Sequence, residues 1–214
     1  MIKLVVSLAA VVMLAGCQTA YYSTMEKLGI EKRDILVDRV DDAKDSQGEA
    51  QEEFRSALER LDSMLSIDGG ELEENYKALK DDYEASKKSA EQVRERIDAV
   101  DDVAQDLFDE WNEELEQYSN ETLRRQSERQ LRETERRYSR LIATMERAAG
   151  KMDPVLAKLQ DNVLYLKHNL NAQAITAIRG EFDTLQADIR VLIEEMETAI
   201  SESNEFIEAM NSGG

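Results

Sequence analysis

Seven residues separate each of Leu72, Leu79, Ser86, Val93, Val100, Leu107 and Glu114 from the next. A second row, Tyr76, Tyr83, Ala90, Ile97, Ala104, Trp111 and Tyr118, runs between them at the same interval. If Ala and Tyr count as apolar, only Ser86 and Glu114 interrupt the pattern. A repeat of 3.5 residues winds one apolar stripe along an α-helix, and such a stripe is buried by knobs-into-holes packing against other helices. A strand, with its period of two, cannot keep these residues on one side. The segment 71–118 therefore reads as a long helix that needs helical partners.

The rest of the chain supplies them. Over 24–66, one row holds Val37, Lys44, Gln51, Leu58 and Leu65, and the other Arg33, Val40, Gln47, Phe54 and Leu61. Ser23 with Glu26 fits a capping box, and Asp68-Gly69-Gly70 fits a stop. Over 120–168, Leu131, Tyr138, Met145, Met152, Leu159 and Leu166 alternate with Thr134, Leu141, Ala148, Val155 and Asn162. This register passes through Pro154. Proline loses a helix hydrogen bond and crowds the preceding turn, and Gly150, four residues earlier, offers room. A kinked but continuous helix is the expectation. Over 171–211, Ile175, Phe182, Ile189, Met196, Ser203 and Met210 alternate with Ile178, Leu185, Leu192, Ala199 and Phe206.

Four amphipathic segments of roughly 40 to 50 residues, about 60 to 75 Å each, are joined by short links. The expected fold class is all-α, a long antiparallel four-helix bundle or coiled coil in up-down-up-down order. The alternative fuses the second and third helices, with a stammer at Ser119. Composition agrees with long helices: 34% of residues are charged, with nine Gly and one Pro.

The formal charge is −19. Such a chain repels phosphate backbones, so nucleic acid is not an expected partner. The charge is uneven: residues 119–151 carry nine bases and five acids, while the flanking segments are acidic. The basic residues are Arg124, Arg125, Arg129, Arg132, Arg136, Arg137, Arg140, Arg147 and Lys151. They either pair with acidic neighbours or form a docking patch for an acidic partner.

Lys3 is followed by thirteen uncharged residues, Leu4 to Gly16, and then by Cys17, the single cysteine. A span needs about 20 apolar residues. A shorter run behind a basic start and before small residues is a secretory signal. Leu14-Ala15-Gly16-Cys17 resembles the lipobox of bacterial lipoproteins. The resemblance implies cleavage between Gly16 and Cys17 and lipid attachment at Cys17. Residues 1–16 would be the signal peptide, 17–23 a lipidated tether and 24–211 a single bundle. With Gln18 rather than Asp after the cysteine, the resemblance implies an outer-membrane anchor facing the periplasm. The membrane is then one partner, through the acyl chains. An envelope protein is the other expected partner.

His168 is the single histidine. Metal sites in helical bundles draw on Glu-x-x-His pairs from several helices, and position 165 is Tyr, so no metal site is expected. Asn162, His168, Asn169 and Asn171 form the best candidate for a polar pocket. There is no Asp-x-Asp-x-Asp-Gly calcium loop, no P-loop at Gly150-Lys151, and no set of residues for a nucleophilic triad. Neither catalysis nor a cofactor is expected. Lys44, Gln47 and Gln51 read as polar seam residues that set helix register.

Lys32 to Val40, Ile97 to Val100, Phe108 to Trp111, Ser127 to Thr134 and Leu166 to Ala172 together resemble an uncharacterised Gram-negative lipoprotein family, domain of unknown function 2959. The resemblance spans most of the chain after Cys17 and implies no mechanism. The leading functional expectation is a lipid-anchored periplasmic bundle with a structural or protein-interaction role at the cell envelope. The alternative is a ligand-binding bundle with its pocket near His168.

Overall fold

The computed structural model describes residues 31–65 and 72–212. Four helices carry nearly all of them: α1 (Lys32–Leu65), α2 (Leu72–Leu115), α3 (Glu121–His168) and α4 (Ala172–Ser212). No strand occurs among the described residues. Each helix packs on its neighbours in sequence, and α4 closes the ring against α1. This leaves α1 diagonal to α3, and α2 diagonal to α4. Cross-helix pairs show that neighbours run antiparallel. Arg96 meets Asp42 at 3.4 Å and Arg60 meets Asp82 at 3.1 Å. Arg147 meets Glu195 at 3.4 Å, and the Arg179 guanidinium donates to the Leu65 carbonyl at 2.6 Å. The expected all-α four-helix bundle is the architecture found. Glu31, Leu115, Glu121 and Ser212 gather at one end, called proximal below. Leu65, Leu72 and His168 gather at the distal end. No described helix is long and apolar enough to cross a membrane.

The core is the set of seam residues. In α4 every seam position from Ile175 to Met210 is buried, and in α3 every one except Thr134. In α2 the seam is buried from Leu79 to Ala104 and then opens: Leu107 and Trp111 are half-buried, and Glu114 and Tyr118 are exposed.

α1 departs from expectation. Val37, Lys44, Gln51 and Leu58 sit at the margin, half-buried, while Leu36, Ala43, Ala50, Ala57 and Met64 face inward with no exposure. One of the two rows is thus displaced by one residue, while Val40, Gln47, Phe54 and Leu61 of the other are buried as expected. The cause is charge and size: Lys44 at the margin bonds Asp41 and also reaches Asp45, and Gln51 reaches Glu197 on α4 at 3.3 Å. Small alanines fill the inward row. Of the three polar residues assigned to register, only Gln47 lies in the core.

The break between α2 and α3 is real. Asn120 sits at φ −93°, ψ 106°, and its side-chain oxygen accepts from the N–H of Thr122 at 2.9 Å and of Leu123 at 3.2 Å. Those are orphan donors of a helix start. Fusing the two helices would leave Asn120 in a helix interior. α3 then runs unbroken through Pro154, as its register required. The room attributed to Gly150 is not what permits this, because a Cβ there would meet nothing within 4 Å. Both residues are exposed, so water can satisfy the carbonyl that Pro154 leaves free. The expected signal, tether, Ser23–Glu26 box and Gly69-Gly70 stop lie outside the described residues.

Candidate functional site

Start from the helical angle. At 100° per residue, Arg125, Arg129, Arg132, Arg136 and Arg140 fall within a sector of about 80° on α3. The buried Leu131, Tyr138, Leu141 and Met145 centre about 180° away. The arginines therefore occupy the outward face, and all five are exposed. Arg147 and Lys158 continue the same sector, and Asp161 is its one acid.

Pairing is partial. Arg124 holds Glu121 through two hydrogen bonds, at 3.1 and 3.2 Å, and the guanidinium keeps that carboxyl below its ordinary range. Arg125 stands 3.9 Å from the same carboxylate. Arg132 pairs with Glu128 at 2.9 Å and Arg137 with Glu133 at 2.6 Å, both one turn back on α3. Arg147 and Lys158 bridge to Glu195 and Asp188 on α4. Among the described residues, Arg129, Arg136 and Arg140 make no ion pair. The expected pairing with acidic neighbours thus describes part of the set. Arg124, Arg125, Arg132, Arg137 and Arg147 pair with acidic neighbours, while Arg129, Arg136, Arg140 and Lys151 do not.

The polar cluster at the α3–α4 link is not brought together around a cavity. Asn162 is buried but donates to the Lys158 carbonyl at 2.8 Å, inside its own helix. His168 is exposed at the last position of α3. Asn169 caps α3, its side-chain amide donating to the Tyr165 carbonyl at 2.9 Å. Asn171 caps α4, accepting from the N–H groups of Gln173 and Ala174 at 3.0 and 3.1 Å. The two asparagines spend their polar atoms on helix ends, which is what that residue type does at a tight link. Gly16 and Cys17 lie outside the described residues. No group of three or more His, Cys, Asp or Glu among the described residues could hold a metal ion.

A cleft of about 600 Å³ opens instead at the proximal end, between Lys32, Glu110, Trp111, Ser127, Thr134 and Met210. Two pairs of polar groups meet across it. Lys32 reaches Glu110 at 2.6 Å, and the Trp111 indole N–H donates to Ser127 Oγ at 2.7 Å. Below it, Phe108 meets Tyr138 edge-on at 5.5 Å, and the Tyr138 hydroxyl donates to Asp101. Burial, then the Asp101 carboxylate, pushes the Tyr138 phenol well above its ordinary range. The cleft was legible as a pattern: Arg33, Glu114 and Thr134 are the polar seam positions nearest this end. Without the packing, nothing tied them to one another.

A family model described as "Protein of unknown function (DUF2959)" matches residues 21–210. The chain belongs to that family. The match takes in all four helices, the arginine face and the proximal cleft. Among curated proteins, no sequence matches the chain. The family description states no activity, so no residue role is carried over from it.

Proposed function

We propose that this DUF2959 chain is a lipid-anchored periplasmic bundle, held in the outer membrane by acyl groups on Cys17, with a structural or protein-interaction role at the cell envelope. The reading assigns it no catalytic residue and no cofactor. The observation that carries the interaction role is the outward face of α3. A chain with net charge −19 keeps three arginines unpaired, in one row, on the side of the bundle away from its core. Arg132 and Arg137, by contrast, each reach a glutamate one turn back. A row left free is available to an acidic surface. The anchor reading is supported by the four residues Leu14 to Cys17 behind a short apolar run.

Two measurements test it. The intact mass of the chain isolated from the native envelope should correspond to a start at Cys17 plus acyl groups. Cys17→Ala should abolish fatty-acid labelling and release the protein from the membrane fraction. A wild-type chain without acyl groups would sink the anchor. For the interaction role, crosslinking in intact cells should enrich an envelope component, protein or lipid, that is lost when Arg129, Arg136 and Arg140 are changed to Glu. No enrichment would remove the role.

A further inference from the structure

The outward sector of α3 continues beyond the arginines. Counting 100° per residue, Ala143, Arg147, Gly150, Pro154, Lys158 and Asp161 follow, and Tyr165 closes the row near the distal end. Tyr165 and its neighbour Leu164 are 42% and 51% exposed. One side of α3, about 70 Å long, is therefore basic along its first two-thirds and ends in an exposed aromatic and aliphatic pair. No other helix is like it. By residue count α3 carries a net charge of +4, against −4 for α1, −9 for α2 and −7 for α4.

We propose that this face lies along a membrane surface, its arginines on lipid phosphates, so that the bundle rests lengthwise on the bilayer that anchors it. The occupant is a phosphate-bearing lipid surface, and the proposal rests on the anchor at Cys17. Three observations favour lipid over an acidic protein. Arg129, Arg136 and Arg140 carry the planar fork that matches phosphate oxygens, and the exposed Lys151 adds a further charge at the edge of the same face. The face is a single straight row, as a flat surface requires. It also ends in Tyr165 and Leu164, the pairing of an aromatic rim with apolar surface that suits a headgroup boundary.

The acidic helices do not cancel this attraction. With α3 downward, α1 is diagonal to it, and the α1 outer face stands roughly 20 Å from the surface for ordinary helix spacing. The flanking α2 and α4 are set back by about 7 Å. Surface potentials decay over a Debye length of about 8 Å at physiological salt, so the arginines meet the phosphates first. The fifteen residues from Cys17 to Glu31 reach at most about 50 Å when extended, which keeps the arginine end of the bundle in range of the bilayer. The anchor supplies proximity, and the face needs only to orient.

Vesicle reconstitution of the full acylated chain tests this. Cys17 is the single cysteine, and acylation blocks it, so Ala143→Cys on the α3 face and Glu49→Cys on α1 each take one fluorophore. A headgroup-linked quencher lipid reports proximity, in phosphatidylcholine vesicles with or without phosphatidylglycerol. The Ala143→Cys label should be quenched in the anionic vesicles, released by high salt, and released when Arg129, Arg136 and Arg140 are changed to Gln. That triple change should shift the resting equilibrium on the order of 100-fold. The Glu49→Cys label should stay unquenched throughout. An acylated chain that floats with the vesicles but shows no such difference overturns the lipid face alone. So does a chain whose α3 label is protected only when a crosslinked protein, or a second copy, is present. A chain recovered without acyl groups overturns the anchor and this proposal with it.

Discussion

Gln47 shows how one residue can carry a cost that its neighbours do not relieve. It is fully buried at an inward position of α1, flanked one turn away by Ala43 and Ala50, and neither amide atom has a hydrogen-bond partner. An unsatisfied buried polar group costs about 1–3 kcal/mol. Gln47→Leu, close in volume, is therefore expected to stabilise the bundle by about 2 kcal/mol. Thermal melting followed by circular dichroism checks this, and an unchanged or lower midpoint would mean the amide is satisfied after all. A less cooperative melt in the variant would mark Gln47 as a register device. Tyr138 is the opposite case, a buried polar group with a partner. Its hydroxyl donates to Asp101, and its pKa is raised in the fold. The neutral phenol is thus the stabilised form. Its contribution is complete below the unfolded value of about 10 and is lost as pH rises from there toward the folded value. Tyr138→Phe is expected to cost about 1–2 kcal/mol near neutral pH. It should also lose less urea resistance than wild type between about pH 8 and about pH 11. Equal losses would contradict the assignment.

At the scale of the helix, caps and interruptions decide where elements end. Asn120 and Asn171 start α3 and α4, and each accepts two backbone N–H groups. Pro154 was legible as an interruption that the register overrides. An interior proline costs about 3 kcal/mol in a helix, while its stiffening of the unfolded chain returns up to about 1 kcal/mol. Pro154→Ala, at an exposed position with open space at Gly150, is expected to stabilise by about 2 kcal/mol, or about 4–8 °C in midpoint for a chain of this size. A destabilised variant would show that the proline shapes a bend the packing needs. The α1 seam was misread by one residue because Val37 and Leu58 outweigh Ala43, Ala50 and Ala57 in any hydrophobic count. Two adjacent rows of comparable strength cannot be ranked from one helix. The choice depends on which row lets Lys44 reach Asp41 in water while the alanines admit the neighbouring helices.

Across the whole molecule, charge is arranged rather than merely abundant. The most acidic helices, α2 and α4, lie on one diagonal, and the basic α3 packs against both. Ion pairs such as Arg147–Glu195 and Lys158–Asp188 cross that contact, yet the net charge of −19 leaves repulsion dominant. Raising salt from about 0.01 M to about 0.1 M shortens the Debye length from about 30 Å to about 10 Å. The melting midpoint should rise over that range. A falling midpoint would mean that α3's attractions outweigh the repulsion among the acids. Neither effect bears on the core, whose buried side chains carry no charge.

The helical class, the number of helices and most of the inward residues of α2, α3 and α4 follow from the sequence by itself. A seven-residue repeat has one physical solution, and each seam position reports independently. The candidate features divided differently. Cys17 is read from four adjacent residues and needs no fold. Asn162 and His168 share α3 but face apart, the first to the core and the second to solvent, while Asn169 and Asn171 cap helix ends. Only the tertiary structure decided which arginines are free, since an ion pair depends on the neighbour's distance and not on its presence in the chain. Only packing could show that Arg33, Glu114 and Thr134 meet at one loosened end. Ring closure through α4 alone placed the basic helix opposite α1, with Arg129, Arg136 and Arg140 paired to neither flank.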